Sequence, residues 1–159
     1  MKKETFDKFL KISEDFFGSQ TDPSQIPINE DSRNKLRLIH PDTLIYKVDE
    51  NENPIGWTVT IPTSIEVMRK FVNNEITEKE LLDIAVAEKK FDALYLCATF
   101  VLPECRGKGH AKEMRLRAIH TLSQGRDIPL YCWIYSDEGK KLVESVSKTL
   151  GKHILNRLG

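Results

Sequence analysis

Apolar residues recur every three or four positions over residues 4–17, and this spacing predicts an amphipathic helix that stops at Gly18. The apolar face consists of Phe6, Phe9, Leu10, Phe16 and Phe17. A proline-containing loop follows over Ser19–Ile28, and Asn29 caps a predicted second helix over Glu30–Leu38. Two helices are therefore expected before the first strand.

The spacing of apolar residues then changes to one typical of strands. Thr43–Val48 and Gly56–Ile61 read as two strands, and the polar residues 49–54 between them predict a hairpin. Helical spacing returns in Ser64–Lys90, where Thr77-Glu78-Lys79-Glu80 is a capping box that opens the second of two short helices. This stretch is a predicted helical insert between strands.

The last third of the chain alternates buried strands with helices. Ala93–Leu102 is apolar enough for a strand that is covered on both faces. A helix from about Gly109 to Ser123, a strand over Leu130–Tyr135 and a helix over Glu138–Leu150 come next. The succession of elements predicts a single α/β domain over residues 1–159, with no repeat and no linker.

Composition narrows the classes of partner. The 24 basic and 24 acidic side chains give a net charge of +0, so there is no overall field to attract nucleic acid or a membrane surface. Apolar stretches are too short for a membrane span or a signal-peptide core. Three cysteines without CxxC spacing predict free thiols in a reducing cytoplasm, with no metal site.

A loop rich in glycine and basic residues follows the apolar strand. In Arg106-Gly107-Lys108-Gly109-His110-Ala111, the glycines allow backbone N–H groups to approach a ligand, directly before a helix N-terminus. This arrangement predicts a phosphate or pyrophosphate cradle. The loop has no GxxxxGK sequence, and Lys112 stands where a dinucleotide fingerprint needs its third glycine.

The same loop matches the pattern R/Q-x-x-G-x-G/A through Arg106, Gly109 and Ala111. The chain thereby resembles the GNAT superfamily of N-acetyltransferases, and the order of elements over most of residues 4–150 is similar. The resemblance implies a GNAT-like acyl-CoA N-acyltransferase fold, with a central mixed sheet and helices on both faces. It further implies an enzyme that uses acetyl-CoA to acetylate a primary amine, either a small molecule or a protein amine.

The resemblance also implies a set of acetyl-CoA contacts. The strand before the loop would splay from the next strand, and the pantetheine arm would lie in the gap along Thr99, Phe100 and Val101. The pyrophosphate would be held at the helix start, beside Arg106, by backbone groups of the loop. These loop residues are Gly107, Lys108, Gly109, His110, Ala111 and Lys112. Ser136 occupies a position where an asparagine is common and would lie near the cofactor arm.

The general acid departs from the family pattern. Seven residues beyond Ser136, where many members have a tyrosine, this chain has Val143. By strand alternation Tyr131 and Tyr135 share a face, and either hydroxyl is a candidate acid unless this face only packs in the core. Cys132 as a nucleophile is a weaker candidate, because no histidine or carboxylate is placed beside it in sequence. Glu104 could act as a base through water, but its position in the loop also suits a solvated carboxylate.

The acceptor site is less defined. Only residues 151–159 follow the last helix, enough for one short strand at about His153–Asn156. The insert Ser64–Lys90 is therefore expected to form one wall of the acceptor pocket, and it is also a candidate homodimer contact. The alternative is that it only packs on the sheet. Two other functions stay open: an acyl-CoA-binding module with little transferase activity, and a nucleotide-phosphate binder unrelated to CoA.

Overall fold

The computed structural model describes residues 3–17, 24–27 and 29–158. Its helices are α1 (Lys3–Phe17), α2 (Glu30–Ile39), α3 (Ile65–Val72), α4 (Glu78–Glu88), α5 (His110–Ser123) and α6 (Asp137–Leu150). Its strands are β1 (Leu44–Val48), β2 (Pro54–Thr63), β3 (Ala93–Val101), β4 (Leu130–Cys132) and β5 (Ile154–Asn156). The predicted helix stop at Gly18 and most of the predicted loop Ser19–Ile28 lie outside the described residues.

The strands form one mixed sheet in the order β1-β2-β3-β4-β5. The first three are antiparallel neighbours, whereas β3, β4 and β5 run parallel. Parallel neighbours need a crossover, and α5 and α6 supply the two that join β3 to β4 and β4 to β5. The predicted hairpin is present between β1 and β2, and the predicted short final strand is present as β5.

Helices cover both faces of this sheet. On one face α1 to α4 bury a core around Phe9, Leu36, Phe71 and Leu81. On the other face α5 and α6 bury a second core that contains Leu122. The prediction of a mixed sheet between two layers of helices is therefore confirmed.

Local sequence signals account for several element boundaries. The capping box at the start of α4 is formed, since Thr77 Oγ1 accepts from Glu80 N–H and Glu80 accepts from Thr77 N–H, each at 3.1 Å. In the β1–β2 turn the Asp49 carboxylate accepts from the N–H groups of Asn51 and Asn53, both at 2.8 Å. These bonds satisfy backbone donors that would otherwise lack partners.

The predicted insert packs onto the sheet through its apolar face. Phe71 of α3 and Leu81 of α4 are fully buried, and the Phe71 ring lies 4.7 Å from the ring of Tyr95 on β3. Ile65 at the start of α3 is half exposed. Within the described residues, no helix is long and apolar enough to cross a membrane.

The prediction for β4 was wrong in length. The apolar run Leu130–Tyr135 was expected to be one strand, yet β4 ends at Cys132. The strand ends early for a reason outside these six residues: contacts with β5 draw the chain beyond Cys132 away from β3. This divergence opens the candidate site.

Candidate functional site

Two neighbouring parallel strands separate in the middle of the sheet. β3 and β4 pair at three positions, the last being Leu96 with Cys132, while β3 continues along β2 as far as Val101. Beyond β4 the chain follows β5 instead, because Arg157 N–H donates to the Cys132 carbonyl at 2.9 Å and Ile134 N–H donates to Asn156 Oδ1 at 3.0 Å. A V-shaped cleft therefore opens between β3 and the segment after β4.

A β-bulge lies at the point where the cleft opens. Val59 pairs with Ala98, and the next residue of β2 pairs with Leu96, so Cys97 is the extra residue on β3. A bulge shifts the alternation of side chains. Cys97 and the following alanine both contact the core beneath α1 to α4, whereas Thr99 points toward α5.

Arg115 of α5 holds this bulge. Its guanidinium donates to the carbonyls of Val59 and Ala98 at 2.9 and 3.0 Å, and to the hydroxyls of Thr60 and Thr99 at 2.8 and 2.7 Å. The side chain is only 4% exposed. Burial lowers the Arg115 pKa to about 10, which leaves it charged at neutral pH. A buried charge thus fixes the backbone on one wall of the cleft.

The glycine loop lies beyond the open end of β3. Gly107 and Gly109 have φ of +78° and +80°, in the region that favours glycine, and a Cβ on either would meet no protein atom within 4 Å. Gly109 is the N-cap of α5 and has no side chain with which to cap it. The Arg106 guanidinium turns back, and its Nε donates to the Val101 carbonyl at 2.9 Å. The start of α5 therefore combines an open backbone with the positive end of a helix dipole.

The cleft has a volume of about 440 Å³, and six of the eleven predicted cofactor contacts line it. Its lining residues include Thr99, Phe100, Val101, Arg106, Ala111 and Ser136. The other five do not line the cleft and lie in the loop and first turn of α5: Gly107, Lys108, Gly109, His110 and Lys112. The Ser136 hydroxyl accepts from Gly139 N–H at 3.0 Å and so caps α6.

The two candidate tyrosines do not share an environment. Tyr131 is fully buried, its hydroxyl is hydrogen-bonded to Thr63 Oγ1 at 2.6 Å, and its ring stacks on Tyr95. Tyr135 is 61% exposed and lines the cleft. The expectation that Tyr131 is a candidate acid is therefore corrected, because its hydroxyl lies in the core and does not line the cleft. Tyr135 stays a candidate.

A second cavity lies on the other side of β3. It has a volume of about 100 Å³, and its wall includes side chains of α1, α2, β1 and β2. Cys97, Ala98 and Tyr135 line both this cavity and the cleft. The two spaces therefore adjoin at the bulge, where a group entering through the cleft would meet a group held in the cavity.

Sequence reasoning missed Glu78, a buried carboxylate in the wall of the second cavity. Its two oxygens accept from Ile26 N–H at 3.0 Å and from the Tyr95 hydroxyl at 2.5 Å. Burial raises the Glu78 pKa above its usual value, while hydrogen bonds from Ile26, Tyr95 and the Cys97 thiol, together with the charge of Arg157, oppose this. The sequence signal was ambiguous, because a glutamate in the first turn of a helix usually faces solvent.

Three other sequence predictions concern the insert, Glu104 and Cys132. The insert Ser64–Lys90 contributes Glu78 to the second cavity, while α1, α2 and the sheet provide the larger share of its lining. Its role as a wall of the acceptor pocket stays a prediction. Glu104 is exposed, in agreement with a solvated carboxylate. Burial raises the pKa of Cys132 to about 11, which keeps this thiol protonated and makes it a poor nucleophile.

The described residues contain no group of three or more His, Cys, Asp or Glu side chains that could hold a metal ion. Comparison with protein-family models, with curated proteins and with solved structures finds no match for this chain. Its function is therefore inferred from the cleft, the glycine loop and the second cavity.

Proposed function

We propose that the chain binds acetyl-CoA and transfers the acetyl group to a primary amine, as a GNAT-like N-acetyltransferase. The observation that carries this proposal is the continuity of three features. The open N-terminus of α5 lies beyond the end of β3, the cleft between the diverging strands follows along β3, and this cleft adjoins the second cavity at Cys97, Ala98 and Tyr135. Such a path suits a long ligand with an anionic end and a reactive tip.

In this proposal each segment of the path has one task. Backbone N–H groups at the start of α5 bind the pyrophosphate, helped by the helix dipole. The pantetheine arm lies along Thr99 to Val101, whose conformation depends on the bulge that Arg115 holds. The thioester then reaches the junction beside Ala98 and Tyr135.

The chemistry needs little from the protein beyond position and proton transfer. The amine nitrogen bonds to the acetyl carbonyl carbon, the carbon–sulfur bond breaks, and the products are an amide and CoA thiol. If the acceptor starts as an ammonium ion, the reaction also releases one proton to solvent. Tyr135 is the tyrosine that lines the junction, and its hydroxyl is the candidate donor to the departing thiolate.

The glycine loop provides the first test. Gly109→Glu should weaken CoA binding by at least tenfold, about 1.4 kcal/mol, because a side chain would enter the cradle and its charge would repel the pyrophosphate. Gly125→Glu is a matched control, since Gly125 also has positive φ (+75°), has open space around it and lies at the opposite end of α5. Equal CoA affinity of the two variants in a calorimetric titration would refute the loop assignment.

A second candidate function is an acyl-CoA-binding module without transfer. One observation favours it: Val143, at the position where many GNAT enzymes have the tyrosine acid, lines the cleft and cannot donate a proton. Thioester loss from acetyl-CoA in the presence of amines separates the two functions. Amine-dependent turnover supports the enzyme, whereas tight CoA binding without turnover supports the module.

A further inference from the structure

The second cavity has the features of a selective amine site. Its wall is largely apolar, with Phe9, Leu36, Trp57 and Val59 among the lining residues. Glu78 is the acidic side chain in that wall and is 6% exposed. This carboxylate accepts hydrogen bonds from Ile26, Tyr95 and Cys97 and is acted on by the charge of Arg157. Its negative charge in a largely apolar wall favours a cationic ligand over an anionic one.

Glu78 lies at the end of the cavity that adjoins the cleft. Its oxygens accept from the hydroxyl of Tyr95 on β3 and from Ile26 N–H, and the Cys97 thiol is a further hydrogen-bonding partner. Cys97 is one of the residues shared with the cleft. A cation paired with Glu78 would therefore be held next to the junction.

The far end of the cavity has the opposite charge. The Arg33 guanidinium lies 3.6 Å from the centre of the Phe6 ring and interacts with Tyr46 of β1. Arg33 interacts with a side chain of β1, whereas Glu78 contacts β3, so the two charges lie beside different strands of the sheet. A ligand with a second ammonium would meet a like charge at the Arg33 end.

The volume of the cavity gives a scale for the part of the ligand that it can hold. An apolar cavity of about 150 Å³ is known to admit benzene. The present cavity of about 100 Å³ therefore suits roughly four or five heavy atoms beyond the groups that pair with protein charges. This is the size of a short alkyl chain.

We propose that this cavity binds a small monoamine with an apolar body, the ammonium paired with Glu78 and the body against Trp57 and Val59. The inference rests on the proposed function, under which this monoamine is the acetyl acceptor. It selects against polyamines and aminoglycosides, because their further ammonium groups would lie in an apolar wall or beside Arg33.

Butylamine and putrescine form a matched pair of probes, since they have the same four-carbon chain and differ in the second amine. In wild-type protein, butylamine should have a KM at least tenfold below that of putrescine. The same order should hold for the Kd values of the two amines, measured by ligand-observed NMR with CoA present and with CoA absent. This comparison requires no variant, so a folding defect cannot obscure it.

Variants of Glu78 and Arg33 then test the roles of these two charged side chains. Glu78→Gln should raise the Kd and KM of butylamine at least tenfold, while Glu80→Gln, which changes an exposed residue in the first turn of the same helix, should leave both within twofold. Arg33→Met should reduce the discrimination against putrescine at least threefold. Circular dichroism and an unchanged Kd for CoA establish that each variant is folded.

The outcomes separate this inference from the proposed function. If CoA binds in a Gly109-dependent manner but putrescine equals or exceeds butylamine, or if Glu78→Gln matches Glu80→Gln, the monoamine site is refuted and the CoA site stands. If butylamine binds in a Glu78-dependent manner but CoA does not bind, the amine site stands and acetyl transfer is refuted.

Discussion

The most demanding prediction concerns the buried charge of Arg115. Replacing it with methionine keeps a long apolar stem but removes the four hydrogen bonds at the bulge. The Val59 carbonyl loses its guanidinium donor, whereas the Ala98 carbonyl keeps the hydroxyl of Thr58 at 3.2 Å. The hydroxyl of Thr99 can likewise stay paired with Thr58, at 2.8 Å.

The magnitude follows from these partners. An unsatisfied buried carbonyl costs about 1–3 kcal/mol, and hydrogen bonds from a charged donor are worth about 1.5–3 kcal/mol each. Relief of the guanidinium desolvation offsets part of this loss. We expect a net loss of about 3 kcal/mol in the free energy of unfolding, and a fall in Tm of roughly 6–12 °C for a chain of this size.

Denaturant and thermal unfolding measure this change, with Arg117→Met as the control. Arg117 is exposed on the same helix, so its loss should change stability by about 0.5 kcal/mol or less. Arg115→Met should also weaken CoA binding, because the backbone of Cys97 to Thr99 is no longer held in place. If Arg115→Met is as stable as Arg117→Met, the guanidinium does not hold the bulge and the reasoning is refuted.

Three further predictions concern other residues of the site and its sheet. Tyr135→Phe should lower kcat by roughly 100-fold with unchanged acetyl-CoA affinity. Tyr131→Phe should instead lower the free energy of unfolding by about 1 kcal/mol and leave kcat unchanged. The reverse pattern would refute Tyr135 as the general acid. Gly56→Ala should destabilise the fold by about 1–3 kcal/mol or more in chemical denaturation, because the added Cβ would clash with the Phe100 carbonyl oxygen. Burial raises the pKa of Glu78 above its usual value, so its ionisation disfavours the native state. Wild-type stability relative to Glu78→Gln should therefore fall as pH rises above the usual glutamate pKa; a difference independent of pH would contradict this.

Much of the fold could be predicted because its signals are local. The capping box at Thr77 and Glu80 determines where α4 begins, and the apolar run of β3 predicts a strand covered on both faces. The glycines at 107 and 109 predicted an open turn before α5, and both have the positive φ that such a turn requires. Each signal lies within a few residues of the feature that it encodes.

The candidate site was less predictable because its shape depends on residues far apart in sequence. The apolar pattern of Leu130–Tyr135 is equally suitable for a longer strand. β4 ends early because Asn156 and Arg157 draw the chain toward β5, and Tyr131 and Tyr135 consequently have different environments. No periodicity over six residues contains that information.

The sequence by itself determined the order of the elements and the glycine loop before α5, because spacing, caps and turns are properties of neighbouring residues. The mixed sheet between two helical layers was an expectation from the family resemblance. Only the tertiary structure decided that Arg115 is buried across a bulge at Cys97, and that Glu78 faces a cavity instead of solvent. Burial and charge pairing arise when distant segments pack together. The same glutamate at the start of an isolated helix would be an ordinary surface charge.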